Sequence, residues 1–226
     1  MLAHSGPVTG GAGGIVVIGL GRFGGQVAGS LIRLGHDVLG IDENTKIVQS
    51  WSDRLTHVVE ADATDENALR QIGVPESSRA VVGIGTDIEA SVLTVLSLVE
   101  LGVGEIWAKA ISAQHGKILS AVGANHVIYP EAAMGDRVAH LIASKMIDFI
   151  EFDDGFAIVK TAAPADAVGR TLAESALRTR FGVTVVGVKE TGRDFTYARP
   201  ETVVPPHATL IIAGTVDQVD RFAASI

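Results

Sequence analysis

From Ile15 to Tyr129 the chain alternates short apolar runs with stretches in which apolar residues recur at helical spacing. The runs Ile15–Ile18, Val38–Ile41, His57–Glu60, Ala80–Ile84, Glu105–Ala108 and His126–Tyr129 read as strands buried on both faces. Between them, helices are predicted from Gly24 to Leu34 (apolar face Phe23, Val27, Leu31, Leu34), over Asn44–Leu55, from an Asp65 cap to Ile72, over Ile88–Leu101 and over Ala113–Val122. Strands alternating with helices predict an α/β unit with a Rossmann-like, doubly wound parallel sheet. An amphipathic helix is expected over Ala132–Ile150, its stripe of Val138, Leu141, Ile142, Met146, Phe149 and Ile150 covering either its own sheet or a partner subunit. The pattern then changes. Strands over Phe156–Thr161, Val183–Lys189 and Thr209–Ala213, with helices over Leu172–Thr179 and Val216–Phe222 and a turn at Thr191–Asp194, predict a small α+β lobe. The expected organisation is a Gly-rich flexible leader (1–13), a dinucleotide-type domain (14–131), the helix (132–150) and the C-terminal lobe (151–226).

The first strand runs straight into Gly19-Leu20-Gly21-Arg22-Phe23-Gly24, a G-x-G-x-x-G that opens a helix. Gly19 serves the tight turn, Gly21 lets a pyrophosphate reach the backbone, and Gly24 lets helix and strand pack closely. The helix N-terminus offers free N–H groups and partial positive charge. Asp42 ends the second strand, where an acidic side chain reaches a ribose diol. Ligands of such sheets lie beyond the strand carboxyl ends, so Asp62, Ala63, Gly85, Thr86, Lys109 and Glu131 join the candidates. Asp62 meets the adenine or its ribose, or is a cap or solvated loop acid. Lys109 faces phosphate or is simply solvated.

A net charge of −8 provides no basic field for nucleic acid, and the absence of cysteine excludes disulfides and thiolate chemistry. No segment reads as a membrane span, and a cytoplasmic location is expected. Catalytic machinery is missing from the pattern. No nucleophile elbow, Walker lysine or zinc spacing occurs, and past Glu151 the one histidine is His207, in a Pro-Pro-His loop. The residues alone point to a nucleotide-responsive binding module rather than an enzyme. An NAD(H)-binding redox sensor and an NAD-dependent oxidoreductase remain as alternatives.

The segments GLGRFGG (Gly19–Gly25), GHDVLGID (Gly35–Asp42), ADATDENAL (Ala61–Leu69), GIGTDIEASVLT (Gly83–Thr94), IWAKA (Ile106–Ala110) and GANHVIYPEAAMG (Gly123–Gly135) carry a further resemblance. So do Val168–Gly192 and the closing TLIIAG (Thr209–Gly214). With them the chain resembles the RCK (KTN) regulatory proteins of bacterial potassium transport, the cytosolic subunits of the Ktr and Trk type. That resemblance implies a gating ring, an octamer assembled from homodimers and docked on a potassium-translocating membrane subunit. It implies ATP and ADP competing in the N-lobe, with Arg22 beside Phe23 at the terminal phosphates and Asp42, Glu43 and Asn44 at the ribose. Glu131 would lie near the triphosphate of the paired subunit with a divalent cation, Mg²⁺ or Ca²⁺, and the Ala132–Ile150 helix would cross between subunits. Some members bind cyclic di-AMP between two C-lobes. The matching residues are Leu177, Arg178, Thr184, Val185 and Pro200, although such members often carry Asn where Thr184 stands.

Overall fold

The computed structural model describes residues 14–152 and 154–226; the leader expected over 1–13 lies outside them. The chain divides into two compact units, the first ending at Glu131 and the second spanning Ala132–Ile226.

In the first unit the elements run β1 (Ile15–Ile18), α1 (Arg22–Arg33), β2 (Val38–Asp42), α2 (Thr45–Trp51), β3 (His57–Glu60) and α3 (Glu66–Ile72). They continue through β4 (Arg79–Val82), α4 (Ile88–Glu100), β5 (Glu105–Lys109), α5 (Ala113–Ala121) and β6 (His126–Ile128). The six strands form one parallel sheet in the order β3-β2-β1-β4-β5-β6. Alternation along β1 explains why all four of its residues are buried. Val16 and Ile18 face a core shared with Leu69, Val95, Leu98 and Leu119 of α3, α4 and α5, whereas Ile15 and Val17 face Ala28 and Trp51 of α1 and α2. Four helices start on side-chain caps. Asn44, Asp65, Asp87 and Ser112 accept from backbone N–H groups of α2, α3, α4 and α5.

The packed face of α1 differs from the expected stripe. Gly24, Gly25 and Ala28 are its buried residues, Phe23 and Val27 are half-buried, and Leu34 is exposed. Small residues let the helix sit so close to β1 that the large ones are levered outward. The indole of Trp51 fills the space beside Gly25 and Gly29.

The second unit begins in α6 (Pro130–Ala143), which opens just before the boundary. It continues with β7 (Met146–Glu151), β8 (Phe156–Ala162), α7 (Leu172–Ser175), α8 (Leu177–Phe181), β9 (Thr184–Lys189), β10 (Phe195–Tyr197), β11 (Thr209–Thr215) and α9 (Val216–Ala223). Its antiparallel sheet has the order β10-β9-β11-β8-β7. Val159, Leu210, Ile212, Leu177 and Phe222 form its core.

Three expectations are corrected here. The helix expected over Ala132–Ile150 ends at Ala143, and the C-terminal lobe takes in β7 rather than starting at Glu151. Ser144 stops the helix: its hydroxyl donates to His140 O and accepts from Met146 N. β7 then pairs with β8 through a bulge between Met146 and Asp148, which turns Met146 and Phe149 to the same buried face. Three-residue spacing inside a strand therefore imitated a helix. The helix expected over Leu172–Thr179 is likewise two, broken at Ala176 in a left-handed conformation (φ 49°).

Candidate functional site

The strand order reverses between β1 and β4, and there the sheet opens. Gly19 leaves β1 at φ +81°, a conformation that favours glycine, and its N–H donates to Ile41 O. A Cβ on Gly83, just past β4, would stand 2.8 Å from Gly19 O, and one on Gly24 would fall inside the same carbonyl. Both glycines exist to let two backbones touch. Gly21 differs, because a Cβ there would meet no protein atom within 4 Å. It is the N-cap of α1 and provides no side-chain cap, so the first N–H groups of the helix point at open space.

That space is a cavity of about 470 Å³. Gly19, Gly21, Arg22 and Phe23 line it at the turn. Asp42, Glu43 and Asn44 line it beyond β2, and Asp62 and Ala63 beyond β3. Gly85 and Thr86 after β4, Lys109 at the end of β5 and Glu131 in α6 complete the expected set. Gly24 is buried under the turn and does not line the cavity.

Asp42 is only 9% exposed. Its Oδ2 accepts from Leu20 N at 2.7 Å and its Oδ1 from Asn44 N at 2.9 Å, so the carboxylate ties the glycine turn to the end of β2. Each oxygen keeps acceptor capacity for a ligand hydroxyl. Asp62 Oδ1 accepts from both Thr64 Oγ1 (2.7 Å) and Thr64 N (2.9 Å), and these two bonds hold its carboxyl below the usual range. Asp62 thus builds its own loop as well as facing the cavity. Lys109 Nζ donates to Glu131 Oε1 at 2.6 Å, and this hydrogen bond is the main cause holding the Glu131 carboxyl below its ordinary range.

Several lining residues were not among the candidates, although they lie in segments that carry the resemblance. Thr64, Asp87, Ala90 and Thr94 line the same cavity. Thr94 lies two turns into α4, and its buried Oγ1 has no hydrogen-bond partner among the described residues. Among the described residues no group of three or more His, Asp or Glu is gathered as a metal cage. A cation at Glu131 would therefore have to draw its remaining ligands from phosphate and water, as Mg²⁺ commonly does.

In the second unit Arg178 donates to Thr184 Oγ1 at 3.1 Å, Val185 is half-buried and Pro200 is exposed. Leu177 is part of the core and out of reach of a surface ligand in this conformation. No helix among the described residues is long and apolar enough to cross a membrane.

Comparison with known proteins agrees with this architecture. The TrkA-N domain model matches residues 15–130 and the TrkA-C domain model residues 156–226. The chain is 35% identical to Ktr system potassium uptake protein A of Bacillus subtilis, over 91% of this chain and 93% of that protein. It is 34% identical to Ktr system potassium uptake protein C of the same organism, over 91% and 94%. Among solved structures, the GsuK channel bound to NAD superposes with a TM-score of 0.65 at 22% identity, over 93% of this chain and 38% of that one, which shows a shared fold.

Proposed function

This chain belongs to the family of TrkA-N and TrkA-C domain proteins that includes the Ktr potassium uptake proteins, and from that membership we propose that it is a nucleotide-responsive regulatory subunit of a potassium transporter, not an enzyme. One observation carries the ligand class. A bare helix N-terminus, two cations (Arg22 and Lys109) and a buried carboxylate with spare acceptor capacity (Asp42) converge on one cavity. Phosphate suits the first three and a ribose diol the last. ATP and ADP differ only beyond the second phosphate, which on this reading is the part that meets Arg22 and Lys109. They shift a conformational equilibrium only by their differential affinity for its states, and the γ-phosphate supplies that difference. Glu131 would hold a divalent cation only together with those phosphates.

The subunit would act in the cytoplasm on a separate potassium-translocating membrane subunit, as a ring of eight built from homodimers. Exposed apolar residues support self-assembly. Ile142 on α6 is 81% exposed, with Met134 and Val138 on the same helix, and α4 shows Ile88, Leu93, Leu96 and Val99 to solvent. Cyclic di-AMP would bind between two C-lobes through Arg178, Thr184, Val185 and Pro200, with Leu177 supporting from beneath.

The second reading is an NAD(H)-binding redox sensor. The same Asp42 suits the adenosine ribose of NAD, and NAD is bound in the GsuK channel that shares the fold. Thermal denaturation of the whole chain with ATP, ADP, NADH and cyclic di-AMP separates the readings. Stabilisation by ATP and ADP that Asp42→Ala abolishes is the expected result. Stabilisation by NADH alone would replace the first reading with the second.

A further inference from the structure

The ion pair between Lys109 and Glu131 is lopsided. The lysine side chain is 12% exposed and the glutamate side chain 66%. The ammonium lies 5.7 Å from the centroid of the Phe23 ring and 3.3 Å from where a Cβ on Gly85 would stand. It is therefore held over the bare backbone after β4, beside the first turn of α1. Among the described residues, Glu131 is the one carboxylate within ion-pair distance of it.

A largely buried ammonium needs an anion, whereas an exposed carboxylate is rehydrated at little cost once it lets go. If one partner is exchanged, the lysine stays and the glutamate leaves. Gly21, Arg22 and Phe23, at the N-terminus of α1 where the nucleotide reading puts phosphate, line the same cavity as Lys109. An ammonium on a flexible stem, with three donors, can turn toward it without moving its own Cα. Resting on the nucleotide reading above, we infer that Lys109 is a shared cation, claimed either by Glu131 or by a ligand phosphate, so that phosphate binding and the Lys109–Glu131 ion pair exclude one another. Glu131 stands in the first turn of α6, whose chain continues into the second unit. The exchange is thus a chemical link from ligand phosphate to the start of that helix.

The consequence is counter-intuitive for a residue that lines the binding cavity: with no cation on it, Glu131 opposes binding. Calorimetric titration of the full chain with ATP, ADP and AMP, in EDTA to remove any cation at Glu131, tests this on wild type, Glu131→Gln, Lys109→Met and the double variant. Lys109→Gln replaces Lys109→Met if thermal melts show the latter to be unfolded. Glu131→Gln is expected to bind the nucleotide whose phosphates reach Lys109 about two- to fivefold more tightly, the scale of one partly exposed ion pair. That gain is expected to vanish when Lys109 is already replaced. Unchanged or weaker binding by Glu131→Gln overturns the inference. An equal gain in the Lys109→Met background also overturns it, because the gain would then be the bare field of one deleted charge. If wild type binds none of the three nucleotides, the nucleotide reading itself falls and takes this inference with it.

Discussion

Gly21→Ala should separate binding from folding. Gly21 has φ −62° and ψ −160°, at the edge of the extended region and not in the left-handed region that demands glycine, and its added methyl would meet no atom of the described residues within 4 Å. Alanine is a poorer N-cap than glycine by about 0.5–1 kcal/mol. It also lowers the entropy of the unfolded chain, which returns about 0.4–1 kcal/mol. The melting midpoint should barely move. The methyl would enter open space at the N-cap of α1, where the nucleotide reading brings a pyrophosphate. Losing one hydrogen bond to a charged oxygen costs about 1.5–3 kcal/mol, or about 10- to 150-fold in dissociation constant. Gly24→Ala is the contrasting variant, since its methyl would collide with the Gly19 carbonyl, which is backbone and cannot rotate away. Overpacking of about 1–3 kcal/mol then outweighs the roughly 1 kcal/mol that alanine gains inside a helix. Calorimetric titration with ATP and ADP, paired with thermal melts, reads both effects. Wild-type affinity in Gly21→Ala would refute the placement of phosphate at the turn.

Phe222→Ala removes the largest fully buried side chain of the C-terminal lobe and should destabilise that lobe by about 3–5 kcal/mol, read by chemical denaturation. His115 is 1% exposed, its Nδ1 accepts from Ile111 N, its Nε2 has no partner among the described residues, and burial holds its pKa below the usual value of 6.5. The unfolded chain therefore takes up a proton first as pH falls through 6.5, so His115 costs stability below that pH and none above it. The urea midpoint of wild type should drop between pH 7.5 and 5.5 by more than that of His115→Leu, and equal drops would contradict this assignment. The depressed carboxyl of Asp62 acts on the acid side, where its contribution is present above pH 3.8 and is lost as pH falls through its lower folded value. Thr64→Val should raise the Asp62 pKa in an NMR titration, and an unmoved value would show that Thr64 is not its cause.

The Rossmann-like half of the fold is legible because strands buried on both faces must be continuously apolar, and the site follows from topology alone once the strand order reverses. Asp42, Asp62, Lys109 and Glu131 could be named together without any contact being known, since each ends a strand or follows one. What stayed hidden depends on contacts between residues distant in sequence, or on local backbone. Glycines on α1 read as breaks in an apolar face, yet they are that face. The β7 bulge gave a strand the spacing of a helix, and β10 is exposed along its whole length, so no burial pattern marks it. The Lys109–Glu131 pair joins the end of β5 to the first turn of α6; Lys109 read as facing phosphate or solvent, and nothing local says that each holds the other.

The most direct test of the regulatory reading is potassium flux in liposomes that contain the transporter's membrane subunit, with and without this protein, in ATP and in ADP. The two nucleotides are expected to give different fluxes when this protein is present, the difference is expected to be lost with Asp42→Ala, and without the protein neither nucleotide should matter. Equal fluxes in ATP and ADP, with the protein bound to the membrane subunit, would contradict it.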